Sequence, residues 1–191
     1  MTTREKLTAA MSDLLWERGY AATSPRDILE RAGVGQGSMY HHFSGKHELA
    51  VETLRETVPG VTERSLLLAG EGSPMERIRA YLTLPRPGTR GCRIGRMTQD
   101  PQVVQDAEMI AIVAGGFDLI IERWQGALSA AIEAGELPVG IDPADLAHTL
   151  VAVIQGGYVL ARAHDDQASM DAAIRGALAL LEAAGAPRPE I

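Results

Sequence analysis

Apolar residues recur at intervals of three and four along most of the chain, and no segment alternates apolar and polar positions with a period of two. The first helical stretch opens at Thr2, with Glu5 at capping-box spacing, and ends at Gly19. Leu7 and Leu14 lie on its apolar face. Because the helical period continues and no strand is indicated, the pattern predicts an all-α protein.

Two short helices follow the first. Ser24 is typical of an N-cap, with Pro25 at the first helical position and Asp27 three residues after the cap. A glycine-bearing turn at residues 33–35 ends this helix, and a third is expected at about 36–43. Two short helices joined by such a turn are the layout of a helix-turn-helix, although a helical hairpin in any all-α protein has the same spacing.

The rest of the chain is also predicted to be helical, with a loop at residues 85–91. Pro59-Gly60 is expected to kink or interrupt the fourth helix, which starts near Lys46. The later helices are expected at residues 61–68, from Ser73-Pro74, at 92–99, at 101–134, at 143–163, and from 169 or 170 to 185. Asp-Pro pairs at 100–101 and 142–143 open two of them.

Composition places the chain in a reducing compartment and outside the membrane. The longest uncharged run, residues 146–161, is shorter than the roughly 20 apolar residues that a spanning helix needs, so it predicts a buried helix. Cys92 is the single cysteine, which excludes an intrachain disulfide and suits the cytoplasm. We therefore expect a cytoplasmic protein without membrane association.

The net charge of -7 is unevenly distributed along the chain. Residues 1–50 hold six of the 18 basic and six of the 25 acidic residues, so 12 basic and 19 acidic residues remain for 51–191. The acidic total argues against a broad surface for nucleic acid. The neutral first segment, which also carries His41, His42 and His47, leaves a local DNA site open.

Residues 21–50 resemble the DNA-binding segment of the TetR/AcrR family of bacterial helix-turn-helix transcriptional regulators. The matching residues, in the family's order and spacing, are Gly19-Tyr20, Thr23-Ser24, Arg26-Asp27-Ile28, Ala32-Gly33-Val34, Gly37-Ser38-Met39-Tyr40, His42-Phe43, Lys46 and Leu49. The resemblance implies a helix-turn-helix DNA-binding domain at 1–46 and a helical effector-binding and dimerisation domain at 47–191. Gly35 and Gln36 depart from the family, where Ser and a cation are common, so no operator sequence can be carried over.

The second helix of a helix-turn-helix lies in the major groove, with its first residues at the base edges. Gln36 can bond bidentately to an adenine, and Gly37 permits close backbone approach. Tyr40 has a core alternative, and residues 23–24 have the alternative of a simple helix cap. The predicted DNA contacts, several of them implied by the resemblance, are Thr23, Ser24, Gly35, Gln36, Gly37, Ser38, Tyr40, His41, His42 and Lys46.

The resemblance also implies a homodimer formed by the last two helices, at 142–163 and 169–184, and a small-molecule effector that releases a repressor from a palindromic double-stranded DNA operator. Bulky apolar residues are candidates for the effector pocket, with plain core packing as the alternative for each. These candidates are Ile78, Tyr81, Leu82, Met97, Met109, Ile112, Val113, Phe117, Ile120, Trp124 and Tyr158. The arginines at 86, 90, 93 and 96 could clamp an acidic effector or form a solvated face.

Two other classes of protein are alternatives to a regulator. An enzyme is disfavoured because Cys92 has no evident base and no phosphate loop, HExxH or paired carboxylate is found; we expect no catalytic residue, no cofactor and no metal site. The second rival is a helical adaptor or ligand-binding protein of the same fold with weak or no specific DNA binding. The neutral first segment and Gln36 at a usually cationic position favour it.

Overall fold

The computed structural model describes residues 1–185, which form helices and turns without any strand, so the all-α prediction is confirmed for this part of the chain. The α-helices are α1 (Thr3–Arg18), α2 (Pro25–Ala32), α3 (Gln36–His42), α4 (Lys46–Thr62), α5 (Pro74–Leu82), α6 (Pro101–Gln105), α7 (Ala107–Glu133), α8 (Pro143–His164) and α9 (Gln167–Gly185). Short 3-10 helices cover Glu63–Ala69, Gly88–Arg90 and Gly95–Gln99.

The predicted helix starts are confirmed where a local capping box determines them. The Thr2 hydroxyl accepts the Glu5 N–H at 3.3 Å, and the Glu5 carboxylate accepts the Thr2 N–H at 2.9 Å. Ser24 and Asp27 make the same reciprocal pair at the start of α2, and Ser73 begins α5 in this way. These bonds satisfy backbone N–H groups that have no partner inside the helix.

Several helix boundaries differ from the prediction: α9 begins at Gln167 and not at 169 or 170, and the helices predicted at 61–68 and 92–99 are the 3-10 helices Glu63–Ala69 and Gly95–Gln99. α4 runs through Pro59 to Thr62, so the proline stands inside the helix, which loses one backbone N–H donor there and ends three residues later. The predicted long helix after residue 100 is divided at Asp106, which has an extended backbone. Its carboxylate accepts the N–H groups of Glu108 at 3.1 Å and Met109 at 2.9 Å, so Asp106 ends α6 and caps α7.

The chain forms two compact units, the first made of Met1–Val61 and Cys92–Phe117 and the second of Thr62–Gly91 and the residues from Asp118 onward. The core of the first unit includes side chains from α1–α4 together with Met97, Val103, Met109 and Val113. This unit therefore contains more than residues 1–46, and the predicted functional division at residue 46 stays a prediction.

Helices α8 and α9 pack closely in the second unit. A Cβ at Gly157 would lie 2.9 Å from the Met170 sulfur and 3.3 Å from the Ala173 Cβ, so glycine is what permits this approach. By length and composition alone, α8 is apolar enough to cross a membrane, and 33% of its apolar window is buried. The predicted buried helix is thus buried on one face, whereas Val159 and Leu160 are about half exposed in the isolated chain.

Candidate nucleic-acid interface

Packing of the first three helices leaves one face of α3 open. Met39 and Phe43 are buried at 0% and 2% exposure, while Tyr40 between them is 59% exposed. Trp16 and Tyr20 are also buried, so of the four aromatic residues in the first 43 positions only Tyr40 is exposed. Tyr40 is not a core residue, and its ring is available to a partner of α3.

The start of α3 presents backbone and small side chains to solvent. Gly35 is the N-cap and no side chain caps this helix. Gln36, Gly37 and His41 are exposed, and Ser38 and His42 are half-buried. A Cβ added at Gly35 or Gly37 would meet no atom within 4 Å, so packing inside the chain does not require either glycine. Both positions are therefore open to a partner that approaches α3 from outside.

The two hydroxyl groups predicted to contact DNA at the start of α2, those of Thr23 and Ser24, differ in their exposure. The Thr23 side chain is 2% exposed and its hydroxyl donates to the Gly19 carbonyl at 2.7 Å. Ser24 is exposed, and its hydroxyl donates to the Asp27 carboxylate at 2.6 Å. This hydrogen bond, with one from the Ser24 N–H, holds the pKa of Asp27 below its ordinary value. Of the two hydroxyls, only that of Ser24 faces solvent.

Lys46 is turned toward the turn between α1 and α2. Its ammonium donates to the carbonyls of Tyr20 at 3.1 Å and Thr23 at 3.0 Å, and lies 3.8 Å from the centre of the Tyr20 ring. Burial lowers the pKa of this amine, while the charge of Asp100 acts in the opposite direction. The side chain thus joins the start of α4 to the residues that lead into α2. Sequence reasoning missed this role, because the two acceptors are backbone atoms more than twenty residues away.

Asp100 supports the same turn from the other side. Its Oδ2 accepts the Ala21 N–H at 2.8 Å, and its Oδ1 accepts the N–H groups of Gln102 at 3.0 Å and Val103 at 3.3 Å. A Cβ at Gly19 would lie only 2.7 Å from Oδ2, and Gly19 has a φ of +86°, so both space and backbone conformation require glycine there. One buried carboxylate therefore caps α6 and holds the turn that precedes the helix-turn-helix.

Most cations of the first segment already have partners. Among the described residues, Arg4, Arg18 and Arg31 form ion pairs with Glu52, Asp27 and Glu17 respectively. Within residues 1–50 this leaves Lys6 and Arg26 as the cations with neither an ion pair nor the carbonyl contacts of Lys46. Arg26 is exposed and stands two residues after the Ser24 cap. In the sequence Arg26 counts only as a residue that matches the family. Its place two residues after the Ser24 cap could have identified it as a candidate for a phosphate contact.

The predicted effector-pocket residues divide between the two units. Met97, Met109 and Val113 are buried in the core of the first unit, against which Ile112 and Phe117 pack. In the second unit the buried members are Ile78, Tyr81, Leu82, Ile120 and Trp124, and Tyr158 is half-buried. The rings of Tyr81 and Trp124 meet edge to face with centres 5.3 Å apart. Their assignment to an effector stays a prediction.

Two of the four arginines at 86–96 make structural contacts within their own units. The Arg86 guanidinium is buried and donates to the carbonyls of Tyr81 at 2.8 Å and Leu82 at 2.6 Å, so it completes the end of α5. Arg93, in the first unit, lies 3.9 Å from the Trp16 ring centre. Arg86 and Arg93 are therefore structural cations within separate units.

Comparisons with known proteins define the class. A family model described as "Bacterial regulatory proteins, tetR family" matches residues 7–53, and one described as "Tetracyclin repressor-like, C-terminal domain" matches residues 73–177. The chain belongs to the TetR family, and it is a DNA-binding transcriptional regulator with an N-terminal helix-turn-helix.

Individual relatives agree with this assignment. The repressor NemR of Escherichia coli is 36% identical over 81 residues, which are 41% of each chain. The crystal structure of its reduced form has a TM-score of 0.80 at 26% identity and covers 96% of this chain and 97% of NemR. The repressor DhaR of Mycobacterium sp. strain GP1 is 25% identical over 175 residues, which are 88% of this chain and 86% of DhaR.

Proposed function

We propose that the protein is a cytoplasmic homodimeric repressor that leaves a palindromic operator when a small molecule binds its C-terminal half. The observation that carries this proposal is the open face of α3, where Gln36, Gly37 and Tyr40 are exposed beside the buried Met39 and Phe43. The repressor names of NemR and DhaR support the sign of regulation. A helix of this kind reads base edges in the major groove.

Residues in the first turn of α3 contact the base edges. Gln36 offers a donor and an acceptor that match an adenine edge, and Ser38 can bond to several bases. Tyr40, His41 and His42 follow along the helix and reach the backbone phosphates beside them. Gly37 lets the helix backbone approach the groove more closely than a larger residue would.

A few side chains near the start of α2 provide the attraction to DNA phosphates. Ser24 and Arg26 present an exposed hydroxyl and an unpaired cation at the start of α2, where the positive end of the helix dipole also favours an anion. Lys46 positions this helix start through the Tyr20 and Thr23 carbonyls. Since few unpaired cations face the DNA, we expect a shallow dependence of operator affinity on salt.

Dimerisation is supported by the exposed apolar side chains of α8 and α9. Val159, Leu160 and Leu180 are 53%, 49% and 74% exposed in the single chain. Apolar groups on two adjacent helices suit an interface in which the same surface of each protomer meets its copy. The dimer then presents two recognition helices to two half-sites of a palindrome.

Release requires an effector with different affinities for two states of the dimer. We place the effector in the second unit, and we propose that Asp100 and Lys46 keep the turn before α2 in the arrangement that binds DNA. An effector that favours another arrangement would lower operator affinity without touching the DNA.

The test is footprinting and fluorescence anisotropy on the DNA upstream of the gene, with light scattering to measure the mass of the complex. A dimer that protects a pseudo-palindrome supports the proposal. Gln36→Ala should change the base preference at one position of the operator. Arg26→Ala should instead weaken binding to all DNA sequences by the same factor and lower the dependence of affinity on salt. Absence of protection at any upstream site would contradict the proposal and favour the adaptor.

A further inference from the structure

A cavity of about 390 Å³ lies in the second unit, between the 3-10 helix Glu63–Ala69, α5 and α7. Its walls are mostly apolar and come from Leu68, Ala69, Leu119, Gly126, Ala127 and Ala130. Arg77, Glu122 and Arg123 supply its charged groups. The volume falls at the lower end of small-molecule sites, which span roughly 300–1,000 Å³. None of these residues belongs to the set predicted from the sequence.

The two arginines that border the cavity have N–H donors without an acceptor in the described part of the protein. Arg123 uses only Nη1, which donates to the Thr62 carbonyl at 2.6 Å and the Ser65 hydroxyl at 2.8 Å. Arg77 uses Nη1 in a bond of 3.3 Å to the Gly70 carbonyl, and its buried Nε has no acceptor. A guanidinium has five N–H donors, so most of those on both side chains are unfilled.

Neither guanidinium has a carboxylate within ion-pair distance among the described residues, although Glu122 also borders the cavity. Elsewhere on α5, Arg79 does have such a partner in Glu182. Two cations without a carboxylate partner beside an apolar wall suit an anion with an apolar body. The Glu122 charge opposes a second negative charge, which favours a monocarboxylate over a dicarboxylate.

We propose that this cavity binds an amphipathic monocarboxylate, with its carboxylate on Arg77 and Arg123 and its hydrocarbon against Leu68, Leu119 and Ala127. A guanidinium binds a carboxylate through paired, charge-assisted hydrogen bonds, which gives both affinity and orientation. Burial of the hydrocarbon provides the remaining affinity.

The bonds of Arg123 connect the site with the proposed function. The carbonyl that its Nη1 holds belongs to Thr62, the last residue of α4, whose first residue is Lys46. A carboxylate on Nε and Nη2 of Arg123 repositions this guanidinium, and the Nη1 bond to the end of α4 weakens as it moves. This regulatory part rests on the proposed effector response, whereas binding itself does not.

Calorimetry of the full chain with sodium octanoate tests the site, with octanamide as a neutral ligand of equal length. Octanoate should bind, and Arg77→Gln and Arg123→Gln should each weaken it about tenfold, the change expected on losing a charged hydrogen bond. The affinity for octanamide should change less than about twofold in both variants, since it gains little from the charge. Hexanoate should bind roughly tenfold more weakly than octanoate, because two fewer methylene groups are buried.

Three further variants separate binding from folding. Arg79→Gln changes an arginine of α5 outside the cavity and should leave octanoate affinity unchanged. Gly126→Leu should weaken octanoate binding without disturbing the fold, because a Cβ at Gly126 meets no atom within 4 Å and the added side chain occupies part of the cavity. Glu122→Gln should tighten octanoate binding, since it removes the opposing charge. Equal affinities for octanoate and octanamide, tighter binding of octyltrimethylammonium, or an equal loss in Arg79→Gln would overturn the proposal.

Anisotropy with the upstream DNA distinguishes the site from its regulatory role. Octanoate should lower the DNA affinity of the wild type, and the same octanoate concentration should have a smaller effect on Gly126→Leu. Binding of octanoate with unchanged DNA affinity would overturn the regulatory part and leave the site supported. If no upstream DNA is bound, the proposed function fails, while the calorimetry still decides the site.

Discussion

Replacement of Asp100 by alanine tests whether one carboxylate both caps α6 and holds the turn before α2. The loss of an N-cap costs about 1 kcal/mol, within a range of roughly 0.5–2 kcal/mol. The Ala21 N–H also loses a charged acceptor at 2.8 Å, which adds about 1.5–3 kcal/mol. The free energy of unfolding should therefore fall by about 3 kcal/mol in Asp100→Ala.

A matched control exists in the second Asp-Pro cap of the chain. Asp142 accepts the Ala144 N–H at 2.7 Å at the start of α8 and is exposed. Its replacement by alanine removes a cap without a distant partner, so the expected loss is about 1 kcal/mol. The difference of about 2 kcal/mol between the two variants measures the bond to Ala21. Asp100→Asn, which retains one acceptor oxygen, should fall between the two.

Urea unfolding followed by far-ultraviolet circular dichroism gives these free energies. All variants need one protein concentration, because the stability of an oligomer depends on it. Operator affinity should fall more in Asp100→Ala than in Asp142→Ala, because only Asp100 contacts the turn before α2. Equal losses of stability in the two alanine variants would show that the bond to Ala21 contributes nothing, and the reasoning would be refuted.

Three further predictions concern single side chains. Lys46→Ala should weaken binding to all DNA sequences and lower stability by about 1–2 kcal/mol; a fall in the salt slope by the full 0.9 or so of a phosphate contact would instead show that Lys46 touches DNA. Tyr40→Ala should weaken DNA binding measured by anisotropy and change the free energy of unfolding by no more than about 0.5 kcal/mol. A larger fall in the free energy of unfolding, measured in urea, would show that Tyr40 is a core residue. The Met109 N–H, with His47, keeps the pKa of Asp106 below its ordinary value of 3.8, so this group stabilises the fold above that pH and ceases to do so as pH falls through its lower folded value. Acid unfolding of Asp106→Asn should accordingly converge with that of the wild type at low pH, and curves that stay parallel would contradict this.

Features that depend on neighbours in sequence were predictable from the residues alone. The capping boxes at Thr2 and Ser24 join residues three positions apart, and both begin helices where expected. The helical period identified the all-α class, and the exposed Tyr40 is free to make the predicted DNA contact, which stays a prediction. The family resemblance, carried by residues 19–49, was likewise legible before any fold was known.

Features that depend on distant partners were decided only by the tertiary structure. The division of the predicted long helix at Asp106 accompanies a hydrogen bond of 2.8 Å to His47, fifty-nine positions earlier. Lys46 carried the pattern of a phosphate contact, yet its ammonium lies on two backbone carbonyls whose position no local pattern reveals. Arg86, read as part of one cationic run, completes a helix end.

The same distinction applies to binding. The sequence alone determined the helices, their caps and the class of regulator, because these follow from contacts within three or four residues and from a spaced motif. Tertiary structure decided which cations remain unpaired, at Arg26 and at the Arg77–Arg123 cavity, because pairing depends on carboxylates and carbonyls brought together from separate helices. The sequence gives the number of charged groups, whereas the fold determines which of these groups a ligand can contact.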